Sequence, residues 1–239
     1  MKSLNFQAGE VLLVNKPLNW TSFDVVNKLR YEMKQKLGIK KIKVGHAGTL
    51  DPLADGLLII CTGKKTKEIE SFMGLEKTYS GTITLGGTTP SYDLETEIDQ
   101  SFPLDTITPE QIEEQAKGMV GTYAQHPPIF SAKKVKGKKA YDLARAGEEV
   151  KLEPKMVTIS QFDLTEIDLP KIHFEITCSK GTYIRSIAHD IGLRLNNGGH
   201  LSSLRRDKIG NYSLLDAKNV DEWIEIIKDS DMNNNPVIS

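Results

Sequence analysis

This sequence predicts an α+β (mixed α/β) fold around an antiparallel sheet, on three observations. Two stretches, Lys77 to Leu85 and Lys171 to Cys178, alternate apolar and polar residues with a period of two. Helical stripes with recognisable start signals lie before, between and after them. The order of these segments lacks the regular spacing of βαβ units.

The elements follow in chain order. Glu10 to Asn15 reads as a buried strand ended by Lys16-Pro17. Thr21 or Ser22 then caps a helix with Val25, Val26, Leu29 and Met33 on one side. A Gly-rich loop, Gly45 to Gly56, leads directly into the apolar run Leu57 to Cys61. The Lys77 to Leu85 strand is expected to be half-buried, with Tyr79, Gly81, Ile83 and Leu85 on one face and Thr78, Ser80, Thr82 and Thr84 on the other. Thr108-Pro109-Glu110-Gln111 is a helix start; Ile112, Ala116 and Met119 form its stripe and Gly121 is placed to stop it. On Lys171 to Cys178, Ile172, Phe174, Ile176 and Cys178 face inward. A turn at Ser179-Lys180-Gly181 leads to a helix with Ile184, Ile187, Ala188, Ile191 and Leu195 on its apolar side. A last helix spans about Val220 to Lys228, and Asn233-Asn234-Asn235-Pro236 reads as a frayed end.

The 239 residues suffice for one large domain or two small ones, and 38% hydrophobic with 26% charged residues suits a soluble globular enzyme. No apolar run approaches the roughly 20 residues that span a bilayer, and the first residues lack the apolar segment of a signal peptide. Cys61 and Cys178 read as buried thiols of a reducing compartment, so a cytoplasmic protein is expected. The net charge of −1 does not announce a nucleic-acid binder, so any RNA face must come from local clusters. Lys133 to Lys139 holds five lysines in seven positions, and Lys40-Lys41-Ile42-Lys43 and Lys64-Lys65-Thr66-Lys67 flank the Gly-rich loop. Each alone reads as solvated surface; together, around a candidate active loop, they point to phosphate contact. The Gly56 to Gly63 spacing is not a P-loop, and the histidines and cysteines lack paired metal-ligand spacing, so no cofactor and no metal are expected.

Within Gly45-His46-Ala47-Gly48-Thr49-Leu50-Asp51-Pro52-Leu53-Ala54-Asp55-Gly56, the step to Pro52 biases Asp51 away from helical geometry. A carboxylate on such a loop can serve as a nucleophile or a base, or simply form a turn. The whole string resembles the catalytic loop of the bacterial tRNA pseudouridine-55 synthases, the B-type branch of the pseudouridine synthases; Ala47 and Asp55 stand where the family usually has Thr. Cys178-Ser179-Lys180-Gly181-Thr182-Tyr183-Ile184-Arg185 matches a second family segment at every position. Pro127 to Tyr141 is similar to a third, and matching segments run from about Val11 to Arg206.

The resemblance implies a long mixed, mainly antiparallel sheet with flanking helices and a central cleft. It implies one catalytic domain over residues 1–232, a mobile RNA-binding insertion at about 127–155, and a tail at 233–239. The C-terminal PUA-type domain of many family members is not expected here. The implied reaction isomerises uridine-55 in the T loop of tRNA. Asp51 adds to the ribose or to C6 of the uracil, and Arg185 is the cation that keeps it ionised. Asp93 matches an acid of that ion network, although Pro90 and Thr96 nearby replace the usual Asp and Gly. Tyr79 matches the tyrosine that stacks on the flipped uracil, and Tyr183 and Leu204 match positions lining the base pocket. His46 and Lys16 match RNA-contacting or structural positions, and Lys134, Lys136 and Lys138 fall in the segment that closes on the T arm. The implied partner is tRNA, with no membrane and a monomeric protein. Two other readings stay open: a non-catalytic tRNA-binding or folding protein of the same fold, and a guide-RNA-dependent rRNA pseudouridine synthase.

Overall fold

The computed structural model describes residues 4–131, 134–135, 138–140 and 152–230. The chain forms two compact units, one made of residues up to Lys77 and from Arg205 onward, the other of Thr78 to Leu204.

In the first unit, β1 (Val11–Lys16) pairs antiparallel with β3 (Ala54–Thr62), in a register running from Val11 opposite Cys61 to Lys16 opposite Gly56. Between them lie α1 (Ser22–Leu37) and the short β2 (Val44–His46), which pairs with the other edge of β3 near its end. Thr21, not Ser22, caps α1: its hydroxyl accepts from the Asp24 amide at 3.0 Å, and Asp24 returns a bond to the Thr21 amide at 2.8 Å. Gly38, in a left-handed conformation at φ 63°, ends the helix. The unbroken apolar run of β3 is explained by burial on both faces. Leu58 and Ile60 join Leu12, Val14, Val25, Val26, Leu29 and Met33 in one core, while Leu57, Ile59 and Cys61 join Ala47, Phe72 and Ile209 in another. Helix α2 (Ile69–Gly74) follows. The buried ammonium of Lys77 donates to the Met73 and Leu75 carbonyls at 2.7 and 2.6 Å, satisfying groups that the end of α2 leaves open.

The second unit contains β4 (Lys77–Leu85), β5 (Gly87–Thr88), β6 (Gln100–Ser101), α3 (Pro109–Lys117), β7 (Gly121–Gln125), β8 (Lys134–Val135) and β9 (Lys138–Lys139). After these come β10 (Lys155–Asp168), β11 (Lys171–Cys178), α4 (Ile184–Arg194) and the start of β12 (Gly199–Ile209). Its strands pair in the order β12–β4–β11–β10–β7, with β10 antiparallel to both neighbours. Helices and strands thus combine as the α+β reading expects. Strand β4, however, is covered on both faces. Thr78 and Thr82 are buried, and their hydroxyls bond to Thr177 at 3.0 Å and to Ser203 at 2.9 Å. Helix α3 has the expected Thr108 capping box, but it ends at Lys117 with Gly118 as its cap, and Gly121 opens β7 instead.

The chain then returns to the first unit through the rest of β12, β13 (Tyr212–Ser213) and α5 (Val220–Asp229), capped by Asn219. Trp223 on α5 donates its indole N–H to the Leu13 carbonyl at 2.8 Å, and Val220, Ile224 and Ile227 complete the α1 core. The expected tail at Asn233 to Pro236 lies outside the described residues, as do Lys133 and Lys136; Lys134 and Lys138 are placed only by backbone, in β8 and β9.

Candidate functional site

In the first unit the Asp51 loop is pinned from several sides. Ser22 is buried at the start of α1; its hydroxyl donates to the Leu50 carbonyl at 3.1 Å and accepts from the Leu50 amide at 2.8 Å. On the other side the Asn19 amide donates to the Pro52 carbonyl at 2.8 Å, and the Ala54 amide closes a turn onto the Asp51 carbonyl at 3.1 Å. Both peptides flanking Asp51 are therefore fixed, one by the Ser22 hydroxyl and one by the Ala54 amide, and the side chain stays half-buried. That is the preorganisation a nucleophilic carboxylate needs.

Two buried cations lie behind this loop. Arg206 on β12 is almost fully buried, and among the described residues its hydrogen bonds go to carbonyls: Nε to Leu57 at 2.7 Å, Nη2 to Gly48 at 3.1 Å and Nη1 to Thr49 at 3.5 Å. It ties the Gly-rich loop to β3. Lys16, at the end of β1, is fully buried and donates to the carbonyls of Pro17 at 3.0 Å and Trp20 at 2.6 Å. Burial pulls its pKa down to about 8; Asp55 and Asp51 act against that, which leaves the ammonium protonated at neutral pH. Gly56, at φ 104°, sits where a Cβ would lie 2.5 Å from the Arg206 carbonyl oxygen, so this position accepts only glycine. Asp55, the departure from the family's Thr, forms a two-point pair with Arg205 at 3.0 and 2.9 Å. His46 is partly buried, and its Nδ1 has no hydrogen-bond partner among the described residues. Burial, reinforced by the Arg206 charge, keeps its imidazole below the usual range and hence neutral.

The second unit carries another cluster. Arg185, in the first turn of α4, is buried; its Nη1 lies 3.6 Å from the Asp93 carboxylate and donates to the Ser91 carbonyl at 3.2 Å. The two departures near Asp93 leave its loop well tied. Thr96 bonds to Ser91 through its hydroxyl at 2.8 Å, and Thr89 donates to the Asp93 carbonyl at 2.7 Å. Gln125 at the end of β7 holds the backbone of Tyr183, which precedes α4: its Oε1 accepts from the Tyr183 amide at 2.8 Å and its Nε2 donates to the Tyr183 carbonyl at 3.0 Å. Ser186 adds a bond to the His126 carbonyl at 2.7 Å. Tyr79 is buried on β4, while Leu204 on β12 is half-buried.

Thus Asp93 and Arg185 are brought together, as are Lys16 and Asp51. Arg206, Ser22 and Gln125 are site-building residues that the sequence reading did not assign. Ser22 was visible only as an alternative cap. Arg206 stands in a strand whose polar residues show no clear alternation, and Gln125 acts through a main-chain grip that has no spacing signature.

A family model described as TruB family pseudouridylate synthase (N terminal domain) matches residues 34–184. A protein named tRNA pseudouridine synthase B from Phocaeicola vulgatus is 55% identical over 225 residues, covering 93% of this chain and 96% of its own length. The protein of that name from Chlorobaculum tepidum is 49% identical over 222 residues, covering 92% of each chain. Among solved structures, a chain of the archaeal box H/ACA sRNP Nop10-Cbf5 complex shares the fold with a TM-score of 0.65 at 23% identity. A chain of a Cbf5-Nop10-Gar1 complex gives a TM-score of 0.67 at 25% identity. Each covers more than nine-tenths of this chain, and this chain spans 54% of each of them.

Proposed function

The chain belongs to the TruB family of pseudouridylate synthases, and on that premise we propose that it converts uridine-55 in the T loop of tRNA to pseudouridine, with Asp51 as the nucleophile. The observation that carries this reading is the fixed Asp51 loop, in a chain similar over nearly its whole length to proteins named tRNA pseudouridine synthase B. The reaction breaks the bond from C1′ to N1 and forms one from C1′ to C5. The C5 proton leaves and N1 is protonated, so no atom is gained or lost overall. An ionised carboxylate that adds to the sugar or to C6 frees the base to turn. Lys16 and Arg206 supply fixed positive charge behind the loop, which favours the ionised form in a site that substrate closes off from water.

The other assignments belong to the same proposal. Arg185, paired with Asp93, is the further cation of the reaction; Tyr79 stacks on the uracil; and Tyr183 and Leu204 line the space for the flipped base. His46 and Lys16 help hold the RNA or the loop, and Lys134, Lys136 and Lys138 meet T-arm phosphates. Residues 1–232 act as the catalytic domain, with 127–155 as the segment that closes on RNA, in a monomeric cytoplasmic protein. No helix among the described residues is long and apolar enough to cross a membrane.

The test is to incubate an unmodified tRNA transcript with the wild-type protein and with Asp51→Ala, and to map pseudouridine by position. Product in the T loop is expected from the wild type alone. Product from both removes Asp51 from the chemistry. Product from neither supports a binding protein, and product at another position means a different target.

A further inference from the structure

We infer that the stacked rings of Tyr92 and His189 are a positioning pair for Arg185, locking the 89–96 loop onto the helix that carries the guanidinium. The inference rests on the proposed reaction only in assigning Arg185 a part in it; the geometry stands by itself. Arg185 takes two contacts from this loop, from the Ser91 carbonyl at 3.2 Å and from Asp93 at 3.6 Å. The second distance is well beyond the roughly 2.7–2.9 Å of a charge-assisted hydrogen bond. Asp93 therefore attracts the guanidinium without fixing its angle. The loop is braced internally by Thr89, Ser91 and Thr96, but bracing makes it rigid without attaching it to α4.

Tyr92 supplies a second attachment, beside the contacts of Ser91 and Asp93 with Arg185. It sits between the two residues that contact Arg185, and its backbone is left-handed at φ 64°. That conformation costs a non-glycine residue about 1 kcal/mol or more. Its carbonyl accepts the Leu201 amide at 2.9 Å. Its ring lies parallel to that of His189, with centroids 3.9 Å apart and planes 8° apart. His189 is four residues beyond Arg185 on α4, so both side chains leave the same face, one turn apart. The ring stack and the Arg185 contacts with Ser91 and Asp93 lie one turn apart on α4, so together they fix the orientation of the loop on the helix, where either set alone holds it at one point. His189 also has a buried Nδ1 with no hydrogen-bond partner among the described residues. Burial holds its pKa below the usual value, with Asp99 acting against it. The ring is therefore held as a neutral aromatic surface.

The experiment measures single-turnover rate at saturating tRNA, RNA affinity and thermal unfolding. It uses the wild type, His189→Phe, Tyr92→Phe, His189→Leu, Tyr92→Leu and the double Leu variant. The Phe variants keep the stack and should stay within about twofold of wild type. The Leu variants should lose roughly tenfold or more in rate with RNA affinity unchanged, since small misplacements of a reacting group carry that cost. The double variant should be no slower than the slower single one. A Leu variant that does not fold is replaced by His189→Gln or Tyr92→Met, which also remove a ring. Wild-type rates without the rings, Phe variants as slow as Leu variants, or multiplying losses in the double variant would each overturn the inference. If the wild type itself makes no T-loop pseudouridine, the proposed function fails first. A crystal structure of His189→Leu then decides the positioning role alone: an unchanged Arg185–Asp93 arrangement overturns it, and a displaced one supports it.

Discussion

At the scale of single residues, the buried charges set both stability and its pH dependence. Arg206 serves three carbonyls with one planar group. An ammonium cannot reproduce that fork. Arg206→Lys should leave at least one buried carbonyl unpaired and cost about 1–3 kcal/mol in urea unfolding. Asp190 on α4 behaves differently: burial pushes its carboxyl up to about 6, with the Arg194 and His126 charges opposing the rise. A folded-state value above the ordinary 3.8 means that the folded protein binds this proton more readily than the unfolded chain between those limits. Stability from this group is therefore lost as pH rises from about 4 to about 6 and stays lost above. Asp190→Asn should raise the unfolding temperature at pH 7.5 by several degrees, reflecting about 1–3 kcal/mol, and should have little effect at pH 3.5. A gain of equal size at both values would place the cause elsewhere. Arg206 also marks where the sequence stops informing. In β12 the buried Arg206 stands between an exposed Arg205 and a half-buried Asp207, within a run of four charged residues, so its side chain carried no sign of its surroundings.

At the scale of elements, legibility followed local chemistry. Helices α1, α3 and α5 were readable because each carries its own start signal, a capping box in every case. The long strand β10 was not readable, since register shifts near Ile159 and Leu164 break its alternation: Val157 and Ile159 are buried in one phase and Phe162 in the other. The covering of both faces of β4 was hidden because threonines that bond across strands look the same in sequence as threonines that face water. Gly56 was readable only as the end of a Gly-rich loop; that this position requires glycine follows from the passing backbone of Arg206. Gly56→Ala should therefore cost well over 2 kcal/mol, or leave the protein insoluble. Gly38→Ala, with nothing within 4 Å of the added methyl, should cost only about 1 kcal/mol. Chemical denaturation of the two variants compares them directly, and equal costs would remove the steric argument.

At the scale of the whole molecule, the α+β class was legible, but the division into two compact units was not. The boundaries fall inside β4 and β12, where no Gly- or Pro-rich linker marks them. Composition, likewise, concealed a role in RNA handling: the net charge of −1 is an average over local clusters of opposite sign. The lysine segment provides the test. Replacing Lys134, Lys136 and Lys138 by Ala should weaken tRNA binding and reduce the slope of log affinity against log salt by about two. An unchanged slope would move the phosphate contacts to another face.

Gln125 grips residue 183 by its amide and its carbonyl, so that part of the scaffold does not depend on which side chain stands there. A substitution at 183 can therefore change the shape of that side chain while the backbone leading into the neighbouring helix keeps both of its bonds to Gln125. Position 125 has no such latitude: glutamate lacks the donor, asparagine the reach and leucine both.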